Sequence, residues 1–285
     1  MLTRKYVGKS KPRFIFAAIL NLHGLSDEEK GRPASTPTDF FARLCETTFP
    51  KLAGVSDAAA RDLYLASYVQ TYIERDVREL VGIQRRREFE VFVKMCALRT
   101  AQEVRLESLA RDAGVSPPTA KEWLSLLEDS FLLRLVHPYH SNRTKRLIKS
   151  PKLYFLDAGL AAWLGGWRTA EVLRLGPMAG ALYETHIFRE ILRRFCHRAR
   201  EASIAFWRTR GGEEIDFLVE TGGTVFPIEA KMGLPDGRDL PKLEKIRETN
   251  WKEGMVISLA AGDSPQRLTS EWRAVPPSCL DFLPV

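Results

Sequence analysis

Residues 210–231 read RGGEEIDFLVETGGTVFPIEAK, and this stretch decides the fold of the last third of the chain. Glu214 to Glu220 alternates apolar and polar residues, the pattern of a half-buried strand. Thr221-Gly222-Gly223-Thr224 follows, and Val225 to Lys231 then closes on Ile-Glu-Ala-Lys. Two central glycines suit a two-residue hairpin turn, because both turn positions need positive φ. Counting outward from them predicts the register. Thr221 pairs with Thr224, Val219 with Phe226, Phe217 with Ile228 and Ile215 with Ala230. That face is apolar and is expected to be buried. The opposite face pairs Asp216 with Glu229 and Glu214 with Lys231.

Directly opposed residues hold their Cβ atoms about 5 Å apart, and like charges there destabilise the pair. A hard divalent cation would relieve Asp216 and Glu229, because such ions take carboxylate oxygens. Lys231 lies two residues beyond Glu229 and so projects to the same side. Two carboxylates and a lysine on one face suit metal-assisted phosphodiester cleavage. Asp216 and Glu229 would hold magnesium, or manganese in its place. The metal would lower the pKa of a water and stabilise charge on the phosphate, with Lys231 positioning or activating the water. The plainer alternative is a solvated polar face carrying a Glu214–Lys231 surface ion pair.

A second carboxylate signal lies upstream. Residues 180–195 form a helix pattern in which Glu184, Phe188, Ile191 and Phe195 fall on one stripe. A carboxylate on an apolar stripe is costly to bury without a partner. Glu184 either sits at an exposed first turn, where the helix dipole favours it, or reaches the same cation as Asp216 and Glu229.

Glu on a first helix, Asp on one strand and Glu-x-Lys on the next resembles the PD-(D/E)xK nuclease-like fold. The resemblance implies metal binding by Asp216 and Glu229, a catalytic role for Lys231 and an auxiliary one for Glu184. A wider resemblance rests on YVQTYIERDVREL (68–80), LYFLDAGLAAWLGG (153–166), GALYETHIFREIL (180–192) and EIDFLVE with VFPIEAK. These blocks resemble the C-terminal half of a prokaryotic AAA-type ATPase family. The resemblance implies a winged helix followed by a nuclease-like domain of unknown function. The family's phosphate-binding loop has no counterpart here. Gly8-Lys9-Ser10 imitates its end, but Thr3 stands where the first glycine belongs and no strand precedes it. No nucleotide site is expected. The chain reads as a fragment or degenerate member, partnered by a second copy of itself or by an ATPase.

The chain has 285 residues and a formal net charge of +7, with a pI near 9.3. That balance suits an anionic partner such as DNA, although charge speaks to association and not to fold. Cys45, Cys96, Cys196 and Cys279 are scattered without metal-ligand spacing, which points to a reducing cytoplasm and away from structural zinc. No apolar run approaches the roughly 20 residues that span a bilayer. Residues 14–22 are apolar but too short for that, and lack a small-residue cleavage site. The resemblance implies that residues 1–60 are the tail of an absent ATPase domain, poorly packed on its own, and the residues themselves suggest a short helix over 39–48.

Residues 58–80 predict a long helix free of Gly and Pro. Glu74-Arg75-Asp76 near its end is either a solvated charged turn or, by resemblance, the source of an arginine offered to a neighbour's phosphate. Residues 88–136 read as a helix-turn-helix. Gly114 closes one helix, Ser116 caps the next, and Pro117 takes its first position. The third helix offers Lys121 as its one cation near a groove-facing end, a weak display for reading bases. The expected wing is richer. Arg134, Arg143, Lys145, Arg146, Lys149 and Lys152 occur without an intervening carboxylate and could track phosphates. A solvated loop or a docking surface is the alternative.

The chain is thus expected to be mixed α/β: a helical segment to residue 80, a winged helix-turn-helix over 81–165, and a PD-(D/E)xK α/β domain over 166–285. Two functions follow. One is DNA binding with a magnesium-dependent nuclease site. The other is a non-catalytic interaction module.

Overall fold

The computed structural model describes residues 36–72, 85–139, 150–198, 200, 203–209, 211–236, 239 and 251–277. The hairpin forms as counted. Strand β5 (Glu214–Thr221) and strand β6 (Thr224–Lys231) pair antiparallel, with Thr221 opposite Thr224, Val219 opposite Phe226 and Phe217 opposite Ile228. Gly222 and Gly223 take φ of 57° and 75°, so a side chain at either would be strained.

Below Phe217 the expected register fails. Strand β4 (Ser203–Arg208) pairs Ala205 with Leu218 but Trp207 with Ile215. Asp216 and Phe217 together therefore oppose the single residue Phe206, which is a β-bulge. The extra residue turns Ile215 away from Phe217. Ile215 packs with Leu218, Val225, Trp251, Val256 and Trp272, while Phe217 and Val219 join the main core. Ile215 is therefore not a member of the Phe217 face. Glu214 does not pair with Lys231 either. Its carboxylate meets Lys152 and lies 3.6 Å from Arg208.

The sheet continues from β6 through β7 (Gly254–Ser258) and β9 (Trp272–Val275) to β8 (Gln266–Arg267). The β6–β7 and β7–β9 pairs are parallel and the remaining pairs antiparallel. The helix expected over 240–250 and the end of the closing segment lie outside the described residues.

The upstream part holds helices α1 (Pro37–Cys45), α2 (Ala58–Tyr72), α3 (Arg86–Ala97), α4 (Leu106–Ala113) and α5 (Pro117–Asp129). The punctuation read from sequence is in place. Gly114 ends α4 with φ 70°, and the Ser116 hydroxyl accepts the Thr119 N–H at 3.4 Å to cap α5. Strands β1 (Gln102–Glu103), β2 (Leu133–Val136) and β3 (Lys152–Phe155) form a small antiparallel sheet in the order β1-β3-β2. Then come α6 (Ala158–Leu164), α7 (Ala170–Leu175) and α8 (Ala179–His197).

One buried core runs from Phe40 to Val275 and crosses the expected boundaries at 80 and 165 without a break. Two backbone bonds join the small sheet's outgoing chain to β4. Phe206 donates to the His137 carbonyl at 3.2 Å, and Tyr139 donates to the Phe206 carbonyl at 2.5 Å. The segment after residue 36 is well packed, contrary to expectation. Phe40, Phe41 and Leu44 of α1 are buried, and Phe40 meets Tyr183 and His186 of α8 edge-on at 5.1 Å.

Asp157 fastens this segment. Its Oδ1 caps α6 by accepting the Leu160 N–H at 2.7 Å, while Oδ2 accepts the Thr48 N–H at 2.8 Å. Asp157→Ala removes both, and a loss of about 1–2 kcal/mol is expected. Denaturant midpoints compared at constant slope would check it.

Cys45, Cys96 and Cys196 are free, and burial pushes the Cys45 thiol up to about 11. No helix among the described residues is long and apolar enough to cross a membrane.

Candidate functional site

The β-bulge is what builds the site. By placing Asp216 beside Phe217, it swings the Asp216 side chain toward α8 and β3. Asp216 is 9% exposed. Its Oδ2 accepts the Ala230 N–H at 2.9 Å, and its own N–H donates to Glu229 Oε2 at 3.3 Å. Side-chain bonds thus take over where the backbone ladder stops. Lys231 Nζ stands 3.8 Å from Glu229 Oε1 and 3.2 Å from Asp239. The expected trio of Asp216, Glu229 and Lys231 does come together, along the opened end of the hairpin.

Glu184 joins from the first turns of α8. Its Oε1 accepts from Tyr154 Oη at 2.5 Å and from Lys152 Nζ at 3.0 Å. Glu184 is thus turned toward the cluster and not out to solvent at the helix end. Tyr154 stacks on Phe188 at 4.6 Å and lies 5.6 Å from Phe217, so one ring group ties β3, α8 and β5 together.

Lys152 departs from its expected role. It was counted among the wing cations, yet it is 4% exposed. Its ammonium bonds the carboxylates of Glu184 and Glu214 and lies 3.7 Å from Asp216 Oδ1. A charge so enclosed cannot track a surface phosphate. Lys121 is exposed on α5. Arg143, Lys145, Arg146 and Lys149 lie outside the described residues.

The electrostatics follow from crowding. Burial, and then the Asp216 charge, pushes the Glu184 carboxyl up to about 8. Burial raises Asp216, against the opposing pull of Lys152 and the Ala230 N–H. Burial and Asp216 raise Glu229 well above the usual carboxylate range. For Lys152, burial alone would favour the neutral amine, but Glu184, Asp216 and Glu214 together outweigh it and hold the ammonium charged. Four acids thus crowd around Lys152 and Lys231, with Arg208 beside Glu214, and burial favours the protonated forms of Glu184 and Glu229.

Do these residues suit a hard divalent ion? Asp216 Oδ1 and Glu229 Oε1 are not engaged by the backbone N–H groups that hold their sister oxygens. Carboxylate oxygens are the right donors for magnesium or manganese. The donor chemistry of Asp216 and Glu229 fits such an ion. Among the described residues, no three His, Cys, Asp or Glu side chains converge as a metal-ligand group.

Beside the cluster opens a cleft of about 390 Å³ lined by Arg99, Gln102, Arg105, Lys152, Arg208 and Glu214 among others. Arg208 pairs with Glu103, and Arg99 pairs with Asp112. Sequence reasoning places Lys152 with the wing cations and leaves Tyr154 and Glu214 out of the carboxylate site. A signal was present. Lys152 and Tyr154 alternate on one face of a strand that is otherwise apolar, which is an unusual setting for an ammonium.

Residues 37–171 match a family described as "Domain of unknown function (DUF8612)", and residues 179–280 match "Domain of unknown function (DUF4143)". The chain is similar to the uncharacterized protein Rv2008c of Mycobacterium tuberculosis and to the uncharacterized protein Mb2031c of Mycobacterium bovis. Each is 28% identical over 226 residues, covering 75% of this chain and 46% of the relative. The chain therefore spans about half the length of these relatives. No solved structure matches.

Proposed function

We propose that this chain acts on DNA and that its C-terminal α/β part carries a metal-dependent phosphodiesterase site of the PD-(D/E)xK kind. The observation that supports this most is the meeting of Asp216, Glu229 and Lys231 at the opened end of one hairpin. The order of α3, β1, α4, α5, β2 and β3 is compatible with the expected winged helix, and it supports the reading of the upstream part as a nucleic-acid binder. Asp216 and Glu229 would hold the ion, which when bound supplies positive charge to the phosphate and acidifies a water. Lys231, restrained by Glu229 and Asp239, orients the attacking water from the open side. Glu184 takes no part in direct chemistry. Tyr154 and Lys152 hold it, and it sets the charge around Asp216.

Nicking of supercoiled plasmid with magnesium or manganese tests the reading. Wild type is expected to nick and Glu229→Gln is not. Intact plasmid in the presence of demonstrably bound metal would leave a second reading, a non-catalytic interaction module. Lys152 favours that second reading, since the cluster already contains a protein cation.

A further inference from the structure

We propose that Lys152 is the resident counter-cation of the carboxylate site, a positioning residue supplied by the upstream sheet, and that a divalent ion binds there in competition with its ammonium. This deepens the metal-site reading and rests on it. Three observations carry it. Lys152 heads β3 in a sheet separate from the one bearing Asp216 and Glu229, so its charge is imported into the site. Its Nζ contacts Glu184 and Glu214 and stands 3.7 Å from Asp216 Oδ1, the oxygen that a metal would take. Its side chain is 5% exposed, so its charge is balanced mainly by the surrounding carboxylates.

The geometry gives Lys152 a defined task. With the ammonium in place, Glu184 and Glu214 are neutralised and Asp216 is held toward β3. An ion on Asp216 and Glu229 would bring two positive charges to within a few ångströms of the ammonium. At such separations like charges repel strongly even at the effective dielectric of a protein surface. Lys152 therefore lowers metal affinity while it keeps the acids assembled. The cleft that Lys152 and Glu214 line is the side to which the displaced ammonium could move.

The test is manganese binding by calorimetry on the full chain, without nucleic acid, for wild type, Lys152→Met, Lys152→Arg and Asp216→Ala. Lys152→Met is isosteric along its stem but uncharged, and it should bind manganese at least tenfold more tightly than wild type. Lys152→Arg keeps the charge and should not gain affinity. Asp216→Ala should not bind. Melting in chelator should show Lys152→Met less stable than wild type, and manganese should restore it. Should Lys152→Met fail to fold, Lys152→Gln in manganese-containing buffer answers the same question. Equal affinity in wild type and Lys152→Met, with Asp216→Ala inactive in binding, overturns the competition and leaves the metal site standing. Absence of binding in wild type and in both neutral variants overturns the competition together with the metal reading.

Discussion

Asp216→Ala is expected to abolish the stabilisation that manganese or magnesium gives the wild type, and with it any plasmid nicking. A ligand that binds only the folded state at a hundredfold excess over its Kd stabilises by about 2.7 kcal/mol. In a chain of this size each kcal/mol moves the melting temperature by roughly 2–4 °C. Wild type should therefore shift upward by several degrees on metal addition and the variant should not. The variant's own stability in chelator should change less. It loses the Asp216 acceptor for the Ala230 N–H, but it also removes an acid crowded against Glu229 and Glu184. Lys231→Ala offers a contrast. Its amine is not a metal donor, so the thermal shift should survive while nicking slows. A metal shift that persists in Asp216→Ala would remove Asp216 from the site.

Gly159→Ala is expected to destabilise the chain by about 3 kcal/mol, the upper range for a forced overpacking. A Cβ built there would stand 2.3 Å from the Leu44 carbonyl oxygen and 2.9 Å from the Thr47 Cα. Both are backbone atoms, so no side chain can swing away. The sign makes the test sharp. Inside a helix Ala is preferred to Gly by up to about 1 kcal/mol, so propensity alone predicts a gain. Gly180 in α8 has nothing within 4 Å of such a Cβ. Gly180→Ala should accordingly be neutral or stabilising. Chemical denaturation of both variants reads the difference. A stable Gly159→Ala would mean that α1 does not pack on α6 as described.

The hairpin was legible because its determinants are local. Gly222 and Gly223 dictate the turn, and counting from them recovers every pair up to Phe217 and Ile228. The bulge was not legible, because it depends on which β4 residue faces Asp216, and no pattern within β5 encodes that partner. The same limit explains Lys152. Reading it among Arg143, Lys145 and Arg146 made it a surface cation, whereas its environment is set by Glu184 and Glu214, which are distant in sequence. The caps at Gly114 and Ser116 were readable for the opposite reason, since each acts within its own helix end. The packing of α1 was missed because its apolar side chains find partners on α6, α7 and α8, far along the chain.

Lys152 and Tyr154 belong to the first matched segment, while Glu184, Glu214, Asp216 and Glu229 belong to the second. Recombination between relatives at the junction near residue 175 would inherit the ammonium from one parent and the acids from the other. Leaving a buried charge without its counterpart is strongly destabilising, by about 3–5 kcal/mol. The two segments are therefore not freely interchangeable cassettes, and a chimera survives only if both parents carry a lysine and acids that match.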